Sequence, residues 1–339
     1  YGSSSAIYWY TPDNADLGWE KSQNFNAGFE WNLYGRVQLD VEYYDKYTSS
    51  LLFSRPLSSV TGFSSYTANV GNLRNNGIEV QVSSLNISRE NFSWTTDFNF
   101  TWQRSVVKNL PGGSDISYGD GSMYLHREGE SMYTFYLPEW AGVDPENGDG
   151  LFWIDPADHS KGTTNNYASA GNGIVGKAIP DFIGGITNTF NFCKHFDFSF
   201  LISYQFGGDL FDYPAYFFSS DGYRAESMSG YASAMDYWTP DNTDAANPRP
   251  MLNNPGRPDR FSSRHIKSTD NIRVRDITFG YNIPVKRHIE TLRVYFKAVN
   301  PFMIWSATPD VDPDVSINGY RTADVPATKS FNLGLNITF

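Results

Sequence analysis

The last ten residues, SFNLGLNITF, place Phe331, Leu333, Leu335, Ile337 and Phe339 on one side of an extended strand. Ser330, Asn332, Gly334, Asn336 and Thr338 fall on the other. Period two means strand, because successive side chains of extended backbone point to opposite faces. A strand of this length and pattern crosses a bilayer with lipid on one face and a wet lumen on the other. A half-buried strand of a soluble sandwich alternates in the same way, so one segment leaves both readings open.

The pattern recurs along the chain. Phe25, Ala27, Phe29, Trp31 and Leu33 alternate with polar residues, and after Tyr34-Gly35 so do Val37, Leu39, Val41 and Tyr43, which reads as a tight hairpin. Ile78, Val80 and Val82 lead through Ser88 to Asn91 into Phe92, Trp94, Thr96, Phe98, Phe100 and Trp102. A third pair covers about 182–192 and 196–206 around Cys193-Lys194-His195. A fourth joins Ile277, Phe279, Tyr281 and Ile283 to Leu292, Val294, Phe296 and Ala298 through Pro284 to Glu290.

The connections decide between the two readings. Those at 34–35, 89–91, 193–195 and 284–290 are short; those at about 49–76, 108–180, 208–270 and 300–329 are long and rich in Gly, Pro, Asn, Asp and Ser. Outer-membrane barrels have short periplasmic turns and long extracellular loops, whereas a sandwich has no reason to keep its long loops at one end. The expected fold class is therefore all-β, an antiparallel transmembrane β-barrel. About nine strands are counted, an odd number, while closed bacterial barrels are even. An open edge in lipid leaves backbone groups unsatisfied, so residues 1–339 are expected to be an incomplete barrel, with the remaining strands supplied from elsewhere.

Composition agrees with this. No run of eighteen apolar residues exists, so membrane helices are excluded. The chain holds 22 Tyr, 25 Phe and 9 Trp, yet its mean hydropathy is −0.45; aromatic girdles around a polar lumen give that combination. A net charge of −11 with no basic patch argues against a nucleic-acid partner. The N-terminus lacks the basic and apolar regions of a signal peptide, as expected of a processed or incomplete chain.

Trp19-Glu20-Lys21-Ser22-Gln23, and Thr61-Gly62 followed by FSSYTANVGNLRNNGIE at 63–79, are specific words in the chain. The first is similar to the "WEK..Q" strand entry, and the second to the "TGF…NVG…N.GIE" stretch, of the SusC/RagA-type TonB-dependent transporters of Gram-negative outer membranes. PDFIGGITNTF at 180–190 with FDFSFLISYQFGG at 196–208, Asn300-Pro301-Phe302, PDVDPDV at 309–315 and the closing SFNLGLNITF complete the series in family order. The resemblance implies the C-terminal portion of a barrel of about 22 strands, whose plug domain and TonB-contacting segment are not in this chain. It further implies the outer membrane as location, active import energised through TonB, and a SusD-like surface lipoprotein as lid. The cargo it implies is an oligosaccharide by preference, with a peptide as the alternative, and it implies dimers of transporter–lid pairs. The terminal row Phe331, Leu333, Leu335, Ile337 and Phe339 is expected to be read by the barrel-assembly machinery and then to face lipid.

Catalytic chemistry is not expected. No G-x-S-x-G, H-E-x-x-H, P-loop or G-x-G-x-x-G is present. An outer-membrane barrel enzyme or a passive porin remains the rival reading. Lone Cys193 reads as incidental, and His126, His159, His195, His265 and His288 read as scattered, solvated turn residues rather than metal ligands. Asp144 to Asp149 and Asp310-Val-Asp312-Pro-Asp314 cluster oxygens as a calcium site would, without EF-hand spacing; turn chemistry accounts for them more simply. No other cofactor is expected. Asp40, Glu42, Asp97, Asn99 and Arg275 are expected to face the plug and lumenal water. Loop aromatics such as Phe135 and Phe152 read as exposed, and Trp140, Trp153, Trp238 and Trp305 are the best candidates for contact with substrate or lid, since aromatic faces stack on sugars and anchor interfaces.

Overall fold

The protein is described by a computed structural model covering residues 12–63, 65–69, 71–110, 113–224, 230–285, 289–323 and 325–339. Nine strands form one antiparallel sheet in which every strand pairs with its neighbour in sequence. They are β1 (Lys21–Leu33), β2 (Val37–Ser49), β3 (Asn72–Arg89), β4 (Phe92–Asn109) and β5 (Phe182–Phe192), followed by β6 (Phe196–Phe206), β7 (Asn271–Asn282), β8 (Thr291–Ser306) and β9 (Ser330–Thr338). β1 and β9 stand at the two ends of the order and do not pair with each other. The sheet is an open arc, part of a barrel.

Register carries the two faces across the whole arc. Trp31, Leu39, Val82, Phe98, Ile186, Ile202, Val274 and Phe302 are successive cross-strand partners from β1 to β8. One position along, the row reads Glu30, Asp40, Gln81, Asn99, Gly185, Ser203 and Arg273. A one-residue slip would exchange these faces, so the sequence pattern fixes the pairing. On β9 the same face carries Leu333, 80% exposed and paired to Phe296, and Phe331, 66% exposed and paired to Ala298. A polar interruption on that face is internally satisfied. Trp94 Nε1 and Thr96 Oγ1 both donate to Asn188 Oδ1, at 2.8 and 2.7 Å, which satisfies the indole and hydroxyl donors on that side.

The tight turns need backbone in the left-handed region. Tyr34 and Gly35 have φ of 53° and 64°, and Cys193 and Lys194 have 49° and 64°; positive φ at both central positions matches the twist of the flanking strands.

Two boundaries depart from the sequence expectation. β3 starts at Asn72 rather than near 76, and the shorter connection before it holds its own hairpin, Leu52–Pro56 with Ser65–Asn69. β8 runs on to Ser306 instead of ending at 300. The irregular pairing opposite Ile272 to Asp276, with Asn300 at φ 49° and Pro301 after it, breaks the alternation that marks a strand in sequence. Trp305 therefore lies at the end of β8, paired to Ile272, with its ring 6.2 Å from that of Phe206. It is a rim residue of the wall, not a loop residue.

Candidate functional site

The dry core of the described chain lies in the long connections, not in the arc. The described residues from 113 to 181 form a four-stranded sheet of Asn172–Lys177, Thr134–Pro138, Tyr124–His126 and Ile116–Tyr118, and a second one of Trp140–Val143, Gly150–Trp153 and Thr163–Thr164. A third sheet joins two connections, since Asp209–Asp212 pairs with Ile266–Ser268 and, in parallel, with Tyr320–Arg321. Met123, Tyr124, Phe135, Leu137, Ala178, Phe211 and Phe261 are buried together, with Tyr216 and Tyr320 packed against them. Phe135 and Phe152 are fully buried, which corrects their reading as exposed loop aromatics. Three loops are thereby knitted into one layer.

Buried ion pairs hold the layer together. Arg264 donates to both oxygens of Asp221, at 2.5 and 2.9 Å, and Arg321 donates to Asp212 at 2.5 Å. The layer is also fastened to the wall. Arg273 on β7 donates to Asp312 and Asp314, each at 2.6 Å, and Arg275 donates to Asp314 and, through Nε, to Ser203. Burial pushes the Asp314 carboxyl up, but the hydrogen bond and charge of Arg275, with the charge of Arg273, outweigh it and hold it below the usual carboxylate range. Arg275 thus grips a loop instead of only facing lumenal water. Arg273 was missed from sequence, although two arginines at i and i+2 on a strand share one face and were the available signal.

The second quoted motif works in the same way. The Asn69 side chain accepts from Gly18 N at 2.6 Å and donates to Gly18 O and Ser50 O, clamping the chain before β1 to the end of β2. Gly71 has φ 84°, and a Cβ there would come within 2.4 Å of Asn109 O. Only glycine fits. Ser64 and Val70 of that stretch lie outside the described residues.

Each candidate tryptophan has packing partners. Trp140 meets Phe152 edge-on at 5.2 Å with the Arg264 guanidinium 4.8 Å above its ring. Trp238 Nε1 donates to Pro145 O at 3.1 Å. Its ring covers Gly148, where a Cβ would come within 2.5 Å of it. Trp153 stacks on His159 at 3.9 Å. Trp140 and Trp238 both close on the turn from Gly148 to Gly150, whereas Trp305 lies on the wall.

The acidic clusters are engaged. Asp144 accepts from Glu146 N and Asn147 Nδ2, and Asp149 accepts from Arg249 and Asn165. Among the described residues no group of three or more His, Cys, Asp or Glu is gathered as a metal would require. Two histidines are not solvated. His126 is 2% exposed, lies 4.0 Å from the Tyr118 ring and has no partner for Nδ1; burial pushes its pKa down to about 4. His265 is equally buried, with Nε2 unpartnered and its pKa driven well below the ordinary value by burial and by Arg264 and Lys267. His288 lies outside the described residues.

Residues 1–300 match the family model described as TonB dependent receptor-like, beta-barrel. The chain belongs to that family. Among curated relatives of this TonB-dependent receptor, the receptor P3 of Formosa agariphila is 28% identical over 96% of the chain and 35% of its own length. The receptor SusC of Bacteroides thetaiotaomicron is 30% identical over 96% of the chain and 32% of its own length. These relatives are receptors, not enzymes. In fold, the chain is similar to the solved RagAB peptide transporter, with a TM-score of 0.84 and 22% identity over 97% of the chain and 36% of that one. The chain thus spans about a third of the length of the relatives it matches. No described helix is long and apolar enough to cross a membrane; this family crosses with strands.

Proposed function

We propose that the chain supplies the wall and outer loop layer of an active importer in the outer membrane of a Gram-negative bacterium. Energy reaches it through TonB, whose contact lies in the rest of the protein, and movement of a plug opens the lumen. The long connections face outward and meet a SusD-like surface lipoprotein that closes over the cargo, an oligomeric nutrient with an oligosaccharide favoured. The observation that carries this reading is membership in the TonB-dependent receptor family, together with a loop layer that packs on its own core and is fastened to the wall. A packed layer suits a surface that a lid must find repeatedly, since preformed surfaces bind at lower entropic cost. Trp153 and rim residue Trp305 are the aromatic side chains placed to touch lid or cargo, while Trp140 and Trp238 act by holding the layer in shape. Calcium is not part of this proposal, because Asp312 and Asp314 already face two guanidinium groups.

The test is co-purification of the complete protein with the surface lipoprotein encoded beside it, and binding of a soluble TonB fragment to the pair. Capture of both supports the importer. A passive porin or a barrel enzyme would capture neither.

A further inference from the structure

We infer that a cavity inside the loop layer is a subsite for one neutral sugar ring of the imported oligomer. The inference rests on the importer reading and names its substrate class. The cavity measures about 240 Å³ and lies between the second and third long connections, with Asp149, Asn165, Asn166, Arg249, Met251 and Asn254 on its walls and Pro255 and Pro258 beside them. At about 30 Å³ per water it has room for roughly eight waters, the bulk of one hexose ring.

Its chemistry selects a ligand. Arg249 gives Nε and one terminal nitrogen to Asp149 Oδ1, at 3.2 and 2.9 Å, and Nη1 donates to no described residue. Asn166 accepts from Ala168 N through Oδ1 at 3.0 Å, and Asn254 accepts from Gly256 N at 2.9 Å. Neither side-chain NH2 has a described partner, although Asn254 is only 7% exposed. Asn165 reverses the pattern, donating to Asp149 at 2.8 Å and leaving its oxygen open. The residues that line the cavity thus bring three donors and one acceptor without a described partner, beside Met251, Pro255 and Pro258.

Asn165 and Asn166 are exposed and Asn254 is buried, so these are water-accessible donors at a half-open cavity, and a ligand that displaces the water must supply oxygens to them. A carboxylate or phosphate group is disfavoured, because the one guanidinium is already neutralised by Asp149. A ring carrying hydroxyls on its edge and C–H groups on its face satisfies both the amides and the apolar wall. An extended peptide presents its carbonyls in line rather than around one compact space.

Two substitutions test this in the full-length protein with its lid. Asn166→Asp keeps the oxygen that caps Ala168 and removes the free donor; Met251→Trp fills the cavity. Binding of linear neutral hexasaccharides of glucose, xylose, mannose and galactose, and of a mixed peptide digest, is measured by calorimetry, with lid co-purification as the check on folding. At least one hexasaccharide is expected to bind, with affinity reduced tenfold or more in both variants while the lid is retained. Equal binding by wild type and variants overturns the subsite, and so does binding of peptides alone, which leaves the importer reading standing. If no probe binds and neither lid nor TonB fragment is captured, the importer reading falls with it.

Discussion

Arg273 and Asp314, 41 residues apart in sequence, meet at 2.6 Å where the wall strand β7 faces the last long connection. The Arg273 side chain is only 8% exposed, so the pair is a fastener and not a surface ornament. Removing one partner of a buried pair strands the other charge.

Arg273→Ala is therefore expected to destabilise the loop's seat by about 3 kcal/mol, the low end of the buried-pair range, because Asp314 keeps Arg275 and only Asp312 loses its guanidinium. Proteinase cleavage between residues 307 and 329 on intact cells should accelerate, with Arg273→Lys intermediate. Cleavage at the wild-type rate in Arg273→Ala would show that the loop is held by something else.

Trp238→Ala should loosen the turn from Asp144 to Gly150 that its ring covers. Its cost is expected near 2 kcal/mol, below that of a fully buried aromatic, because the ring is half-buried. Faster amide exchange at Gly148 and Asp149, with normal barrel assembly, is the expected result. Unchanged exchange together with lost lid binding would make Trp238 a contact residue instead.

The terminal strand makes a separate prediction. Leu335, opposite Val294 on β8, belongs to the lipid-facing row, so Leu335→Asp places a charge in hydrocarbon at a cost of ~2 kcal/mol near the midplane. Leu335→Asp and deletion of Phe339 should both lower the amount of assembled protein in membranes. Wild-type levels of both variants would refute the assembly role of this row.

Acid should weaken the loop layer. His126 and His265 are held neutral in the fold with their pKa values below the unfolded value, so the unfolded chain binds more protons as pH falls below 6.5. Stability is thus retained above that point and lost progressively toward pH 4. Tryptophan fluorescence from pH 7 to 4 should report loosening of the layer, and His126→Phe should reduce the pH dependence. A flat profile in the wild type would contradict the assignment.

The arc was legible in sequence and the loop layer was not, for one physical reason. Strands with lipid on one face and water on the other must alternate, and β1, β4 and β6 do so residue by residue. The described residues of 110–181 and 207–270 pack in three dimensions without a fixed period, so Phe135, Phe152 and His265 gave no sign of burial. Trp305 was misplaced because the irregular pairing near Asn300 interrupts the pattern inside a strand. The PDVDPDV words were visible as a family resemblance; that they grip Arg273 and Arg275 needed the fold.

The central claim is active import, and uptake measured with and without TonB tests it most directly. Cells carrying the complete protein and its lid should accumulate a labelled neutral hexasaccharide, and deleting TonB or collapsing the proton gradient should abolish accumulation while surface binding persists. Accumulation at the same rate without TonB would mean a passive pore and would contradict this account.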